Sequence, residues 1–399
     1  MRRRSLLQAL AALPVIGSLG GRAQAGLTGV TVDRIEAFRL PVNKRGNWTV
    51  IRLKASNGLT GIGDASHAGD DADTLVHLRL IADLLRGRSI FDVGGYRAAI
   101  AERFPKPSAG GVVAASAIEH CLWDLMGKTL GVPSYDLLGG RVRDAVRLYA
   151  NINRSTDPRT PDGFAAMARR AIDAGFGAIK LAPFDELPMG LKDKAQIEAF
   201  TRTAIERARA VRAAIGPKKD LLIDVHSRLG LEDGLELLDR LKPLDLYWLE
   251  EVTPADPVEN LAAIRKAAPM TTAGGESLRG VAGFYPYIKA GAVDVVMPDV
   301  KVCGGLLELR KIAAVAEGAG LKVSPHGPAS PVGNVAAAQV ACTLPNFTIL
   351  EFSFGEVDWR AELIEPAEEV VGGSLPLSQR PGFGITLNDA FLARRAQML

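Results

Sequence analysis

Apolar and polar positions alternate with a period of two across residues 29–65, in VTVDRIEAFRL, WTVIRLKA and LTGIGDAS. Such alternation predicts half-buried strands, and Asn57-Gly58 between the second and third predicts a hairpin turn. The step Gly61-Ile62-Gly63 is too short and isolated for a phosphate loop and reads as a bend in a hairpin strand. The period then lengthens. VVAASAIEHCLWDLMGKTLG (112–131) is an amphipathic helix that stops at Gly131, just before Pro133. Residues 26–145 are therefore expected to form a small α+β domain.

From about residue 146 short apolar segments alternate with helix-length stretches: RLYANIN, AIKLAPF, LLIDVHSR, LYWLEEV, TTAGGES, AVDVVMPDV, LKVSPHG and FTILEFS. Eight strands in that rhythm predict an α/β fold, a (β/α)8-type barrel (modified TIM barrel) over 146–365, with the α+β domain as a cap. Barrels of this kind keep their chemistry at the carboxyl ends of the strands. Here those ends carry Asn151 and Asn153, Lys180, Asp224 and His226, Glu250 and Glu251, Glu276, Asp299 and Lys301, His326, and Glu351.

The first 25 residues follow neither rhythm. MRRRSLLQALAALPVIGSLGGRAQA has a basic start, a short apolar stretch and Ala23-Gln24-Ala25. That is the layout of a cleavable signal peptide, and its arginine run suggests twin-arginine export to the periplasm. The apolar run is too short, and too broken by Pro14 and glycines, for a membrane anchor. It holds Arg2, Arg3, Arg4 and Arg22 and no acid, so the chain's 48 basic residues become 44 against 45 acidic ones. The basic excess belongs to the leader, and the mature chain carries no signature of nucleic-acid or membrane binding. Cys121, Cys303 and Cys342 lie far apart among apolar residues and glycines, which predicts buried free thiols.

Asp224, Glu250 and Glu276 are spaced 26 and 26 residues apart, one βα unit each, so three carboxylates converge on one side of the barrel mouth. Converging acids raise one another's pKa unless a cation sits among them, and an all-oxygen donor set favours Mg²⁺ over zinc. Alternation lets only one of Glu250 and Glu251 face inward, and Glu250 continues the spacing.

These stretches resemble the enolase superfamily in its mandelate racemase branch, closest in pattern to galactonate-type sugar-acid dehydratases. The likeness is carried by SAIEHCLWDLMGKTLGVPSYDLLGG, IDVHSR, YWLEEVTP, AGGES, MPDVKVCGG and SPHGPASPVG. The tail GGSLPLSQRPGFGITL is similar to a segment that returns to the capping domain, which implies that role for residues 366–399. The resemblance implies Asp224, Glu250 and Glu276 as ligands of one Mg²⁺ that binds a substrate carboxylate. It implies that an Asp299–His326 pair removes the α-proton and that Glu351 hydrogen-bonds the developing enediolate.

Racemases of this branch carry Lys-x-Lys at the second strand, whereas here Lys180 is followed two residues on by Ala182. Lys180 therefore matches a fixed cation beside the substrate carboxylate rather than a base. At the third strand the chain has Asp224-Val225-His226, similar to the sugar-acid dehydratases, in which that histidine protonates the departing β-hydroxyl. The bland alternative for His226 is a group bonded to a metal ligand. Arg228 is expected to contact either substrate or a neighbouring carboxylate. Lys44 and His67, in the capping loops PVNKRGNW and SHAGDD, and Asn151, from the first strand, are candidate substrate contacts. The expected function is a Mg²⁺-dependent dehydratase of an aldonate or aldarate, a hydro-lyase giving a 2-keto-3-deoxy acid. Racemisation or epimerisation of an α-substituted carboxylate and non-catalytic carboxylate binding are the alternatives. The expected partners are a small-molecule carboxylate and further copies of the chain in a homo-oligomer.

Overall fold

The computed structural model describes residues 29–43, 46–66 and 71–399. The leader, Lys44 and His67 lie outside the described residues.

The capping sheet is antiparallel and runs β1 (Val32–Asn43), β2 (Gly46–Ala55) and β3 (Thr60–Asp64). The β2–β3 turn forms at Asn57-Gly58: Gly58 takes the left-handed region at φ 85° and its N–H donates to Ala55 O over 2.9 Å. The helix Ala109–Leu130 starts on Ser108, whose side chain accepts from Gly111 N, and ends at Gly131 with φ 71°. It buries Val113, Ala117, Cys121 and Leu125 together with Ile51 and Leu53 of the sheet. Each fully buried Leu or Ile of this layer contributes roughly 1.5–3 kcal/mol. Gly61 and Gly63 have a reason other than a bend. A Cβ on them would stand 2.2 Å from Cys121 O and 2.1 Å from Ala117 O, so the strand can lie this close to the helix only with glycine there.

The barrel strands are β4 (Ala145–Asn151), β5 (Ala178–Leu181), β6 (Asp220–Asp224), β7 (Trp248–Glu250), β8 (Thr272–Gly274), β9 (Val295–Val296), β10 (Lys322–Val323) and β11 (Leu350–Ser353). They pair in parallel in that order, β11 returns to β4, and a bridge from Val323 to Phe347 closes the ring between β10 and β11. An α-helix follows each strand directly except β11, which leads into the short 3-10 turn Arg360–Leu363, and the helix Asp389–Arg395 comes only near the end of the chain. The last residues come back to the cap: Gln397–Met398 pairs antiparallel with β1, and Phe383 N donates to Asp124 Oδ1 over 2.7 Å.

Inside the barrel a plug of side chains includes Tyr149, Ala178, Leu222, Trp248, Ala273 and Ile349. With a side-chain period of two, the next inward positions along these strands are Asn151, Lys180, Asp224, Glu250 and Glu351. The apolar plug is the floor on which the polar layer stands. The three cysteines are free and buried, and no helix among the described residues is long and apolar enough to cross a membrane.

Candidate active site

The floor of the site is a buried lysine among acids. Lys180 Nζ donates to Glu250 Oε1 at 2.9 Å and lies 3.4 Å from both Asp224 Oδ2 and Glu351 Oε1. Burial opposes its charge, but Glu250 and Glu351 overcome that and hold it protonated. Glu250 Oε2 accepts from the indole of Trp248 in the layer below, at 3.0 Å. Burial and repulsion from Asp224 push the Glu250 carboxyl well above the usual range.

Asp224, Glu250 and Glu276 each offer an oxygen within 4.8 Å of the other two. Oδ2 of Asp224 and Oε2 of Glu276 are buried, and the groups nearest them are cationic: His226 Nε2 at 3.0 Å and Lys180 Nζ at 3.4 Å from the first, His326 Nε2 at 3.1 Å from the second. Crowded buried acids that already draw cationic groups and an all-oxygen donor set fit a hard cation. Glu251, by contrast, turns away. Its side chain accepts from Ser227 Oγ and Gly275 N, each at 3.2 Å, and burial with Glu276 nearby pushes it up to about 7.

Two histidines flank the acids. His326 donates through Nδ1 to Asp299 Oδ2 at 2.9 Å and turns Nε2 toward Glu276 Oε2, 3.1 Å away. Burial lowers its pKa, but Glu276, Glu351 and the bond to Asp299 raise it to about 9. Asp299 itself stays at about 2 despite burial, held by Lys301 and His326. Glu351 likewise stays at about 2, held by Lys180 and His326, and accepts from Gly327 N at 3.0 Å.

On the other side the chain reverses sharply after β6. His226 and Ser227 sit in the left-handed region at φ 51° and 57°, a strained setting for residues with a Cβ. The turn brings His226 Nδ1 to 2.5 Å from Asp185 Oδ1 and Nε2 to 3.0 Å from Asp224 Oδ2. Burial opposes its charge, yet Asp224 and the bond to Asp185 raise its pKa to about 11.

Asn151 donates to Glu351 Oε1 at 2.5 Å and accepts from Asn153 N at 2.9 Å, so it orients Glu351. Arg228 donates to Leu187 O at 2.9 Å, and among the described residues no carboxylate pairs with it. Asp185 was not expected. It lies in the irregular loop after β5, where the cue was an acid five residues beyond Lys180. A cavity of about 260 Å³ opens above the acids, lined by Asn47, Trp48 and Ser66 of the cap with Arg154, Glu276 and His326 of the barrel. The described ends of both capping loops thus reach the site.

Fold and site define the class. The profile "Mandelate racemase / muconate lactonizing enzyme, N-terminal domain" matches residues 36–139, and "Enolase C-terminal domain-like" matches residues 163–391. The chain belongs to the enolase superfamily, in its mandelate racemase/muconate lactonizing enzyme group. It is 31% identical over 387 residues to a D-galactonate dehydratase family member of Streptomyces bingchenggensis, covering 91% of this chain and 93% of that one. It is 30% identical over 350 residues to a D-xylonate dehydratase of Haloferax volcanii, covering 86% of this chain and 83% of the relative. Its fold matches a mandelate racemase/muconate lactonizing enzyme-like protein from Rubrobacter xylanophilus with a TM-score of 0.85 at 28% identity, over 92% of this chain and 98% of that one.

Proposed function

We propose that this protein is a Mg²⁺-dependent dehydratase of a sugar acid, an aldonate or an aldarate. The observation that carries the reading is the pair of acid–base units on either side of the carboxylate triad, His326–Asp299 and His226–Asp185. Relatives named as dehydratases of D-xylonate and D-galactonate support the same chemistry.

Dehydration needs one base and one acid at adjacent carbons. With its Nδ1–H engaged by Asp299, His326 in its neutral form offers Nε2 as the base for the α-proton. The C–H electrons pass into the carboxylate as an enediolate, beside the fixed charge of Lys180. As the enediolate collapses, the β-hydroxyl leaves as water with the proton from His226 Nε2. The enol left behind tautomerises to a 2-keto-3-deoxy acid. Mg²⁺ held by Asp224, Glu250 and Glu276 would neutralise the substrate carboxylate and the charge that builds on it. Racemisation needs a second base on the opposite face of the α-carbon, and at the end of β5 the buried Ala182 supplies none.

The test is a panel of aldonates and aldarates assayed for 2-keto acid with Mg²⁺. One or more members should turn over, and activity should vanish with exhaustive chelation. Turnover that survives chelation, or epimerisation without keto acid, would overturn the reading. We also propose export through the leader. The mature chain should begin near Gly26 in the periplasm, and the protein should stay in the cytoplasm when Arg3 and Arg4 are both changed to Lys.

A further inference from the structure

Two buried side chains of the cap take no part in the chemistry above, yet they touch both loops that carry the Asp299–His326 pair. Asp64 ends β3. Its Oδ2 accepts from Ser330 N at 3.0 Å and Ser330 Oγ at 2.7 Å, and its Oδ1 accepts from Ser66 N at 2.7 Å. Ser330 is four residues beyond His326 and is the N-cap of the helix Pro331–Ala341. An N-cap hydroxyl ordinarily folds back onto its own first turn, but this one makes no such bond and is given to Asp64 instead. The Asp64 side chain thereby faces a helix N-terminus, where negative charge is favoured. Gly333 permits the approach, since a Cβ there would stand 2.4 Å from Asp64 Oδ2.

His120, on the helix Ala109–Leu130, makes the second contact. The Asp64 N–H points at its Nδ1 over 3.5 Å, so Nε2 carries the proton and donates to Val300 O over 3.3 Å. Burial holds its pKa down at about 4, which keeps the ring neutral and suited to accept at one nitrogen and donate at the other. Val300 directly follows Asp299. On the barrel side the His326 loop is held by Arg360 Nη1 on Ala329 O at 2.7 Å and by Glu351 on Gly327 N. Asp64 ties that loop to the cap, and His120 ties the Asp299 loop to it.

We propose that Asp64 and His120 are positioning residues of the capping domain that hold the Asp299 and His326 loops at the separation the pair needs. The geometry of the base then depends on the cap being seated on the barrel. The inference rests on the reading of His326 as the base, and its test includes a measurement that needs no substrate.

In the mature protein with saturating Mg²⁺, Asp64→Asn and His120→Phe should lower kcat by about 10–10²-fold, the scale expected for a misplaced catalytic group. KM and Mg²⁺ affinity should stay at wild-type values, and exchange of the α-proton with deuterated solvent should fall in step with kcat. His120→Gln keeps a donor within reach of Val300 O and should recover most of the loss seen in His120→Phe. The low-field proton resonance of the His326 Nδ1–H, identified by its loss in His326→Asn, should shift or weaken in Asp64→Asn and His120→Phe but not in His120→Gln. An unchanged resonance with unchanged kcat overturns the proposal. So does a parallel fall in kcat, Mg²⁺ affinity and thermal stability, which would mean general loosening. If wild type turns over no sugar acid, the dehydratase reading fails and the resonance still decides the positioning role. If Asp64→Asn does not fold, the two His120 variants decide it.

Discussion

His226 donates through Nδ1 to Oδ1 of Asp185 across 2.5 Å, and this leaves the proton on Nε2 as the one the ring can deliver. The relationship repeats that of His326 with Asp299 at 2.9 Å, on the far side of the carboxylates. Asp185 is itself held by Asn153 Nδ2 at 2.9 Å and lies 3.5 Å from Arg159 Nη2, so the carboxylate that orients His226 is anchored in turn.

Asp185→Asn keeps the volume but removes the carboxylate that fixes the His226 proton. Dehydration should fall by about 10² or more, as for loss of a general acid–base group. KM for the carboxylate should hold, because Asp185 is not one of the acids of the triad. Steady-state kinetics on the best substrate checks this, and a wild-type kcat would remove Asp185 from the acid unit.

The two histidines should fail at different steps. His326→Asn should lose both dehydration and exchange of the α-proton with deuterated solvent. His226→Asn should keep the exchange while forming little keto acid, since hydroxide leaves poorly without an acid. The contact of His226 Nε2 with Asp224 Oδ2, 3.0 Å, sharpens the choice. If the ring serves only to hold Asp224, His226→Asn should instead weaken Mg²⁺ binding and reduce exchange and dehydration together.

What could be read ahead of the structure follows from periodicity. Side chains alternate along a strand, and one βα unit separates neighbouring strands, so the convergence of Asp224, Glu250 and Glu276 was legible from their spacing, and so was the choice of Glu250 over Glu251. Asp185 was not legible, because it sits in an irregular loop whose path is set by Arg159 and Arg207 contacts far along the chain. Asp64 and His120 read as ordinary cap residues, since their partners Ser330 and Val300 are 266 and 180 positions away. Gly61 and Gly63 mark a hairpin strand in the sequence, but the closeness of the Ala109–Leu130 helix that requires glycine there does not show in it. Short-range patterns are visible in a sequence, whereas contacts between domains are not.

Lys180 and Glu250 touch at 2.9 Å but should respond to substitution in opposite senses. Glu250→Gln removes a negative donor and should weaken Mg²⁺ binding and abolish turnover with the fold retained. Lys180→Met removes a cation that repels Mg²⁺ and leaves the donors in place, so affinity should hold or tighten. Turnover should still fall by about 10²-fold, because the charge facing the enediolate is gone. Isothermal titration with Mg²⁺ alone separates the two cases. Loss of Mg²⁺ affinity in Lys180→Met would make the lysine a structural clamp on Glu250.

Glu119, next to His120 on the capping helix, should give the fold a pH dependence of its own. Its Oε1 accepts from Trp123 Nε1 and from Leu307 N, each at 3.2 Å, while Oε2 is buried with no hydrogen bond. The surroundings leave no room for adjustment, since a Cβ on Gly305 would overlap Oε2 at 1.3 Å. Burial pushes the carboxyl from 4.5 to about 7, with Glu308 adding repulsion and Arg97 only partly offsetting both. The folded state therefore holds this proton more tightly than the unfolded chain does. The resulting stability is fully present below pH 4.5 and is lost as pH rises through about 7. The shift corresponds to about 3 kcal/mol at most. Glu119→Gln keeps an acceptor for Trp123 and Leu307 but cannot ionise. Calorimetry from pH 4.5 to 8 should show wild type losing melting temperature relative to Glu119→Gln as pH rises, with no further divergence once Glu119 is ionised. Parallel melting curves for the two proteins across that range would show that the Glu119 carboxyl is not held protonated by its burial.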